Sequence, residues 1–147
     1  MNQLDELDKK ILRILKNDAR VSAKSIAEEV FISAPTVATR IENMRKNGII
    51  NGFYTDINED YIGNFIKAFI NMEVMPSSQE ELYKKLRRSA HVKQCSKVTG
   101  EYSLLIEVIF RSTEELDKFI GEMQHFGRTK TQIVFSTIVK NHGIILD

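Results

Sequence analysis

The sequence predicts an α+β chain in two parts, and three observations predict it. Apolar residues recur at helical spacing from Leu4 to Met44. Beyond residue 64 the pattern shifts to strand alternation, with elements in the order β-α-β-β-α-β. Between these parts, residues 58–64 are polar and contain Gly63, which sets the expected domains at 1–63 and 64–147.

In residues 4–15, Leu4, Leu7, Ile11, Leu12, Ile14 and Leu15 form one buried helical stripe. Asp5, Glu6 and Asp8 sit in the first turns, where the helix dipole favours acids. Ser22 can cap a second, short helix with Ile26, Ala27 and Val30 on its inner face. Phe31-Ile32 is a brief break. Ser33 then caps a third helix, with Pro35 tolerated in its first turn and Val37, Ile41 and Met44 on one side. Gly48 is a natural stop. Apolar pairs on either side of Asn51-Gly52 predict extended chain with a tight turn or bulge, a small wing. Three short helices and a wing are the parts of a winged helix-turn-helix.

In the second part, residues 65–74 alternate as a strand, with Ile66, Ala68, Ile70, Met72 and Val74 pointing one way. Pro76 starts a helix that runs to Ala90 and buries Leu82, Tyr83 and Leu86. Strands follow over 92–98 and 102–110, joined by a turn at Thr99-Gly100-Glu101. Ser112 and Glu115 form a capping box for a helix burying Leu116, Phe119, Ile120 and Met123. Residues 129–139 are the last strand. This is a ferredoxin-like order, and its two helices can cover only one sheet face. The other face keeps Phe65, Phe69, Leu105, Ile109 and Val134, a bare apolar surface that predicts dimerisation through the sheet.

The formal net charge of +1 gives no bulk electrostatic case for nucleic acid, so that case rests on pattern. A single cysteine, Cys95, excludes an intramolecular disulfide and fits a reducing compartment. The first residues show no basic region ahead of an apolar run, and no stretch reaches the length of a membrane span. The expected location is the cytoplasm, with no membrane partner. No glycine-rich phosphate loop or nucleophile elbow appears, and His91, His125 and His142 lack metal-ligand spacing with Cys95, so neither an enzyme, a metal nor a cofactor is expected. Lys84, Lys85, Arg87 and Arg88 read as a solvated basic helix face.

The third helix is the candidate reader of double-stranded DNA. Opposite its apolar side stand Thr36, Thr39, Asn43 and Lys46, with Arg40 and Arg45 on the flanks. Hydroxyls and amides bond base edges, whereas cations favour phosphate or guanine. Ser33, Ala34 and the backbone N–H groups after them form a positive helix end suited to phosphate.

Several runs now carry a resemblance. Leu4-Asp5-Glu6-Leu7-Asp8, Asp18-Ala19-Arg20-Val21-Ser22, Ser33-Ala34-Pro35-Thr36-Val37 and Asn47-Gly48-Ile49-Ile50-Asn51-Gly52-Phe53-Tyr54 resemble the Lrp/AsnC (feast/famine) family. The run from Val92 to Tyr102, with Gly127, Thr129 and Thr131, resembles that family's regulation-of-amino-acid-metabolism (RAM) domain. The resemblance implies a bacterial or archaeal transcriptional regulator that binds DNA as a homodimer, commonly assembles into octamers and responds to amino acids or related metabolites. It places the helix-turn-helix on residues 23–42 and the effector turn on Gly100, Glu101, Tyr102 and Ser103. Serine stands at 103 where the family usually has aspartate, and Phe126-Gly127-Arg128 replaces a usual Pro-Gly-Val. Phe31 occupies a turn position usually small or polar. The main reading is therefore a sequence-specific regulator. The alternatives are an architectural protein that wraps DNA with little sequence choice, and a metabolite-binding or enzymatic ferredoxin-like domain with a helical appendage.

Overall fold

A computed structural model of the chain describes residues 4–63 and 65–139. Asn64, residues 140–147 and with them His142 lie outside the described residues. The described chain forms two compact units that meet in sequence between Asp56 and Ile57, ahead of the boundary expected at Gly63.

The first unit consists of α1 (Glu6–Asn17), α2 (Ala23–Val30) and α3 (Ala34–Lys46). Asp5 is the cap of α1 rather than part of its first turn. Its carboxylate accepts from the Asp8 N–H at 2.7 Å, and the Asp8 carboxylate accepts from the Asp5 N–H at 3.4 Å. Ser22 and Ser33 cap α2 and α3 as the sequence predicts, accepting from the Ser25 and Thr36 N–H groups at 3.0 and 3.3 Å. Ile11, Leu15, Ile26, Ala27, Val37 and Met44 form the core of this unit. Gly48, at φ 70°, ends α3 with the Ile49 N–H returning to the Met44 carbonyl. The wing differs from expectation. Among the described residues, 50–58 form no strand, and Gly52 is not at positive φ. The Tyr54 ring fills the place of a Gly52 side chain, its hydroxyl 2.8 Å from where a Cβ would sit.

The second unit contains β1 (Ile66–Val74), α4 (Gln79–Arg88), β2 (Val92–Lys97), β3 (Leu104–Phe110), α5 (Thr113–Gln124) and β4 (Gly127–Ile133). The strands form one antiparallel sheet in the order β2-β3-β1-β4. Ala68, Ile70, Met72 and Val74 on β1 pack with Leu82 and Leu86 of α4 and with Leu116, Phe119 and Met123 of α5. This is the expected ferredoxin-like arrangement, with some ends moved. β4 stops at Ile133 instead of 139, and β3 starts at Leu104 instead of 102. Ser112 caps α5, but the Glu115 carboxylate accepts from the Arg111 N–H at 3.1 Å, so the reciprocal box is not closed.

The face away from the helices is less apolar than expected. Phe69 and Leu105 are half-buried and Ile109 is buried. Between them lie the Lys67–Glu107 ion pair at 2.6 Å and a hydrogen bond from Asn71 to Gln132 at 3.2 Å. Phe65 stands exposed ahead of β1, and the Val134 N–H donates to the Lys67 carbonyl beyond the end of β4.

Gly127 is fixed by close approach, since a Cβ there would sit 2.0 Å from the Glu73 carbonyl oxygen. Backbone atoms of a central strand cannot yield cheaply. Gly127→Ala is expected to destabilise this unit by about 2–4 kcal/mol, read by denaturant unfolding of the full chain.

Candidate nucleic-acid interface

Burial of Val37 and Met44, with Ile41 half-buried beside them, fixes which side of α3 faces outward. Thr36, Thr39, Asn43 and Lys46 are all exposed on that side. Two of the hydroxyls have internal bonds as well. The Ser33 and Thr36 hydroxyls share a hydrogen bond of 2.7 Å, and the Thr39 hydroxyl donates to the Pro35 carbonyl at 3.0 Å. A hydroxyl that donates inward still has lone pairs for an outside donor. Ser33 and Ala34 stand at the N-terminal end of α3 as the sequence predicts.

Arg40, a flank residue expected to favour phosphate or guanine, has partners within the chain. Its Nη1 lies 2.6 Å from Asp5 and 2.8 Å from Asp8, clasping α3 to the start of α1. The Asp8 N–H and then the Arg40 guanidinium hold the Asp5 carboxyl below its ordinary range. These partners lie 35 and 32 residues away in sequence, so no local signal announces them.

The turn between β2 and β3 carries Gly100, Glu101, Tyr102 and Ser103. Gly100 has φ 113°, a conformation that opposes a side chain. Ser103 is a stitch between strands. Its N–H and hydroxyl donate to the Met72 carbonyl at 3.0 and 3.3 Å, and its hydroxyl accepts from the Val74 N–H at 3.4 Å. Glu101 pairs with Arg128 of β4 at 2.8 Å. Arg128 also reaches Glu73 at 3.2 Å and lies over the Tyr102 ring, 5.1 Å from its centroid. In the sequence Arg128 stands out only as a departure, because its partners come from β1 and from the turn between β2 and β3.

Two open grooves flank α4. One, of about 670 Å³, lies between α4 and α5 over Phe110 and Phe119; the other, of about 390 Å³, lies between α4 and β2 beside Tyr83 and Cys95. Neither is lined by the Gly100–Ser103 turn. Among the described residues, no group of three His, Cys, Asp or Glu is arranged to hold a metal, and no helix is long and apolar enough to cross a membrane.

A helix-turn-helix whose third helix has an exposed polar side, followed by a ferredoxin-like sheet unit, is the architecture of a DNA-binding transcriptional regulator. The comparisons specify the kind. Residues 4–51 match the winged helix-turn-helix DNA-binding model, and residues 67–144 match the Lrp/AsnC ligand binding domain. The chain belongs to the Lrp/AsnC family. It is 37% identical over 119 residues to the HTH-type transcriptional regulator Ptr1 of Methanocaldococcus jannaschii, covering 81% of this chain and 80% of that one. It is 30% identical to the regulator FL11 of Pyrococcus horikoshii, covering 91% of each. Among solved structures, E. coli AsnC is similar at TM-score 0.85 and 26% identity, over 95% of this chain and 97% of its own.

The Arg40 clasp predicts an acid-sensitive helical unit. Lowering a carboxyl's value in the folded state stabilises the fold above the ordinary aspartate range, and that gain is lost as pH falls through the lowered value. Arg40→Gln should lower the melting temperature at neutral pH. The gap between variant and parent should narrow on acidification, as the Asp5 carboxyl is protonated. Equal melting of the two chains at neutral pH would contradict the clasp.

Proposed function

We propose that α3 gives this regulator its sequence choice. Thr36, Thr39 and Asn43 meet base edges in the major groove, and Lys46 meets phosphate. Ser33, Ala34 and the backbone N–H groups after them receive a second phosphate. Arg40 acts as a positioning residue through Asp5 and Asp8. The observation that carries this reading is the exposed polar side of α3, held opposite the buried Val37 and Met44. The operating compartment is then the cytoplasm, where the DNA is. The architectural alternative draws on the exposed Lys84, Arg87 and Arg88 of α4. A large ratio of affinities for selected over scrambled duplex at fixed salt favours the specific reader, and a ratio near unity the architectural one.

The working unit is a homodimer, with octamers as its further assembly. Exposed apolar residues support this: Tyr54, Tyr61 and Phe65 around the junction, and Phe135, Ile138 and Val139 beyond β4. They leave apolar surface for a second copy to bury.

The effector is an amino acid or a related zwitterion, held at Gly100, Glu101, Tyr102 and Ser103 with Arg128. A structure of a Neisseria meningitidis transcriptional regulator in complex with L-Met has a similar fold, at TM-score 0.92 and 21% identity over 99% of this chain and 98% of its own. That likeness supports the ligand class. A zwitterion entering the turn exchanges partners with the Glu101–Arg128 pair, offering its ammonium to Glu101 and its carboxylate to Arg128. Binding is weakened by the need to open that pair.

Two outcomes follow. Replacing Thr39 and Asn43 together by Ala should cost about 1–3 kcal/mol per lost base contact on the duplex the parent selects from a randomised pool, without lowering the melting temperature. Unchanged affinity would remove α3 from the reading role. Calorimetry against the standard amino acids should show weak binding that Glu101→Gln and Arg128→Gln each reduce. Tight binding that survives both substitutions would place the effector elsewhere.

A further inference from the structure

Phe31 ends α2 with φ 58° and ψ 44°, in the left-handed region, and its side chain is 93% exposed. It is the one non-glycine residue at positive φ among the described residues. That backbone conformation is strained for a residue with a Cβ. The chain ends α3 by a similar device using glycine, with Gly48 at φ 70°. The left-handed turn at Phe31 is held by main-chain bonds and by the packing of its neighbours Val30 and Ile32. The N–H groups of Phe31 and Ile32 both donate to the Ala27 carbonyl. The ring is not needed to make the turn, and it buries almost none of its surface within the chain.

A strained backbone and an exposed aromatic ring both weigh against the fold, and among the described residues the ring makes no packing contact that offsets them. The position supplies the reason. Ser33, two residues on, opens α3, and its hydroxyl is bonded to Thr36 at 2.7 Å. The ring therefore stands at the N-terminal end of the reading helix.

We infer that Phe31 is a DNA-contacting residue whose ring packs on the apolar parts of the duplex, deoxyribose or thymine methyl, beside the bases that α3 reads. Apolar contact with the thymine methyl is an established use of phenylalanine in the major groove. The inference rests on the α3 reading and adds to it an apolar anchor that carries no charge. A glycine at this position would make a better turn and a poorer DNA contact.

The test uses the full chain and the duplex it selects from a randomised pool. Phe31→Gly and Phe31→Asn both suit the left-handed turn and remove the ring. Both should melt at or above the parent's temperature and bind the selected duplex about ten-fold more weakly. The salt dependence of binding should stay unchanged, because no cation is lost. Replacing thymine by deoxyuridine in the duplex separates the two contacts. If the ring meets a thymine methyl, the parent loses affinity on the deoxyuridine duplex and Phe31→Gly does not; if it meets deoxyribose, neither changes on that account. Parental affinity in both variants would overturn the inference, as would a lower melting temperature in both, which would make the ring part of the fold. Failure of the α3 reading has its own signature: the Thr39/Asn43 double variant binds like the parent while Phe31→Gly does not. A parent that selects no duplex overturns both.

Discussion

The rotation of α3 about its own axis is set by Val37 and Met44, and the surface proposed to read DNA depends on that setting. Both side chains are buried among Ile11, Leu15, Ile26 and Ala27. Burying an aliphatic side chain of this size is worth roughly 1.5–3 kcal/mol, enough to hold one helix face inward against thermal rotation. The opposite side is then obliged to be outward, and it carries hydroxyls, an amide and an amine. The Arg40 clasp to Asp5 and Asp8 adds an electrostatic fix at a second point. Positioning by packing and positioning by charge thus act on the same helix, and an arginine that looks like a DNA ligand serves the protein's own geometry.

In the second unit, β1 has the comparable role. It is hydrogen-bonded on both sides, to β3 and to β4, and its buried residues face both helices. The turn proposed for the effector is tied to this strand through Ser103, whose hydroxyl reaches the Met72 carbonyl and the Val74 N–H. Arg128 binds the same region through Glu73 and Glu101. Ser103 is thus occupied with the sheet, and the Arg128 guanidinium stands beside the neighbouring glutamate.

Much of this was legible in the sequence wherever the signal is local. Helix periodicity, the Ser22, Ser33 and Ser112 caps, the Gly48 stop and strand alternation in β1 depend on residues a few positions apart, and they appear where the sequence places them. What escaped depends on groups distant along the chain. The Asp5–Arg40–Asp8 clasp and the Arg128 cluster join separate elements. The mixed character of the open sheet face comes from pairing register, which sets Lys67 and Glu107 among the apolar residues. The wing departs from the expected strands because Asn51-Gly52 favours a tight turn in general, while here the Tyr54 ring packs over Gly52 and residues 50–58 form no strand among the described residues. The strain at Phe31 was visible only as an unusual residue type; its φ had to be seen.

On the proposed reading, α3 enters the major groove. Photocrosslinking tests it most directly, using the selected duplex with 5-iododeoxyuridine in place of individual thymines. The iodine replaces the thymine methyl and lies in the major groove. Crosslinked peptides should fall within residues 31–46, at a small number of adjacent duplex positions. Crosslinks confined to residues 57–139, or spread evenly along the duplex, would contradict the account.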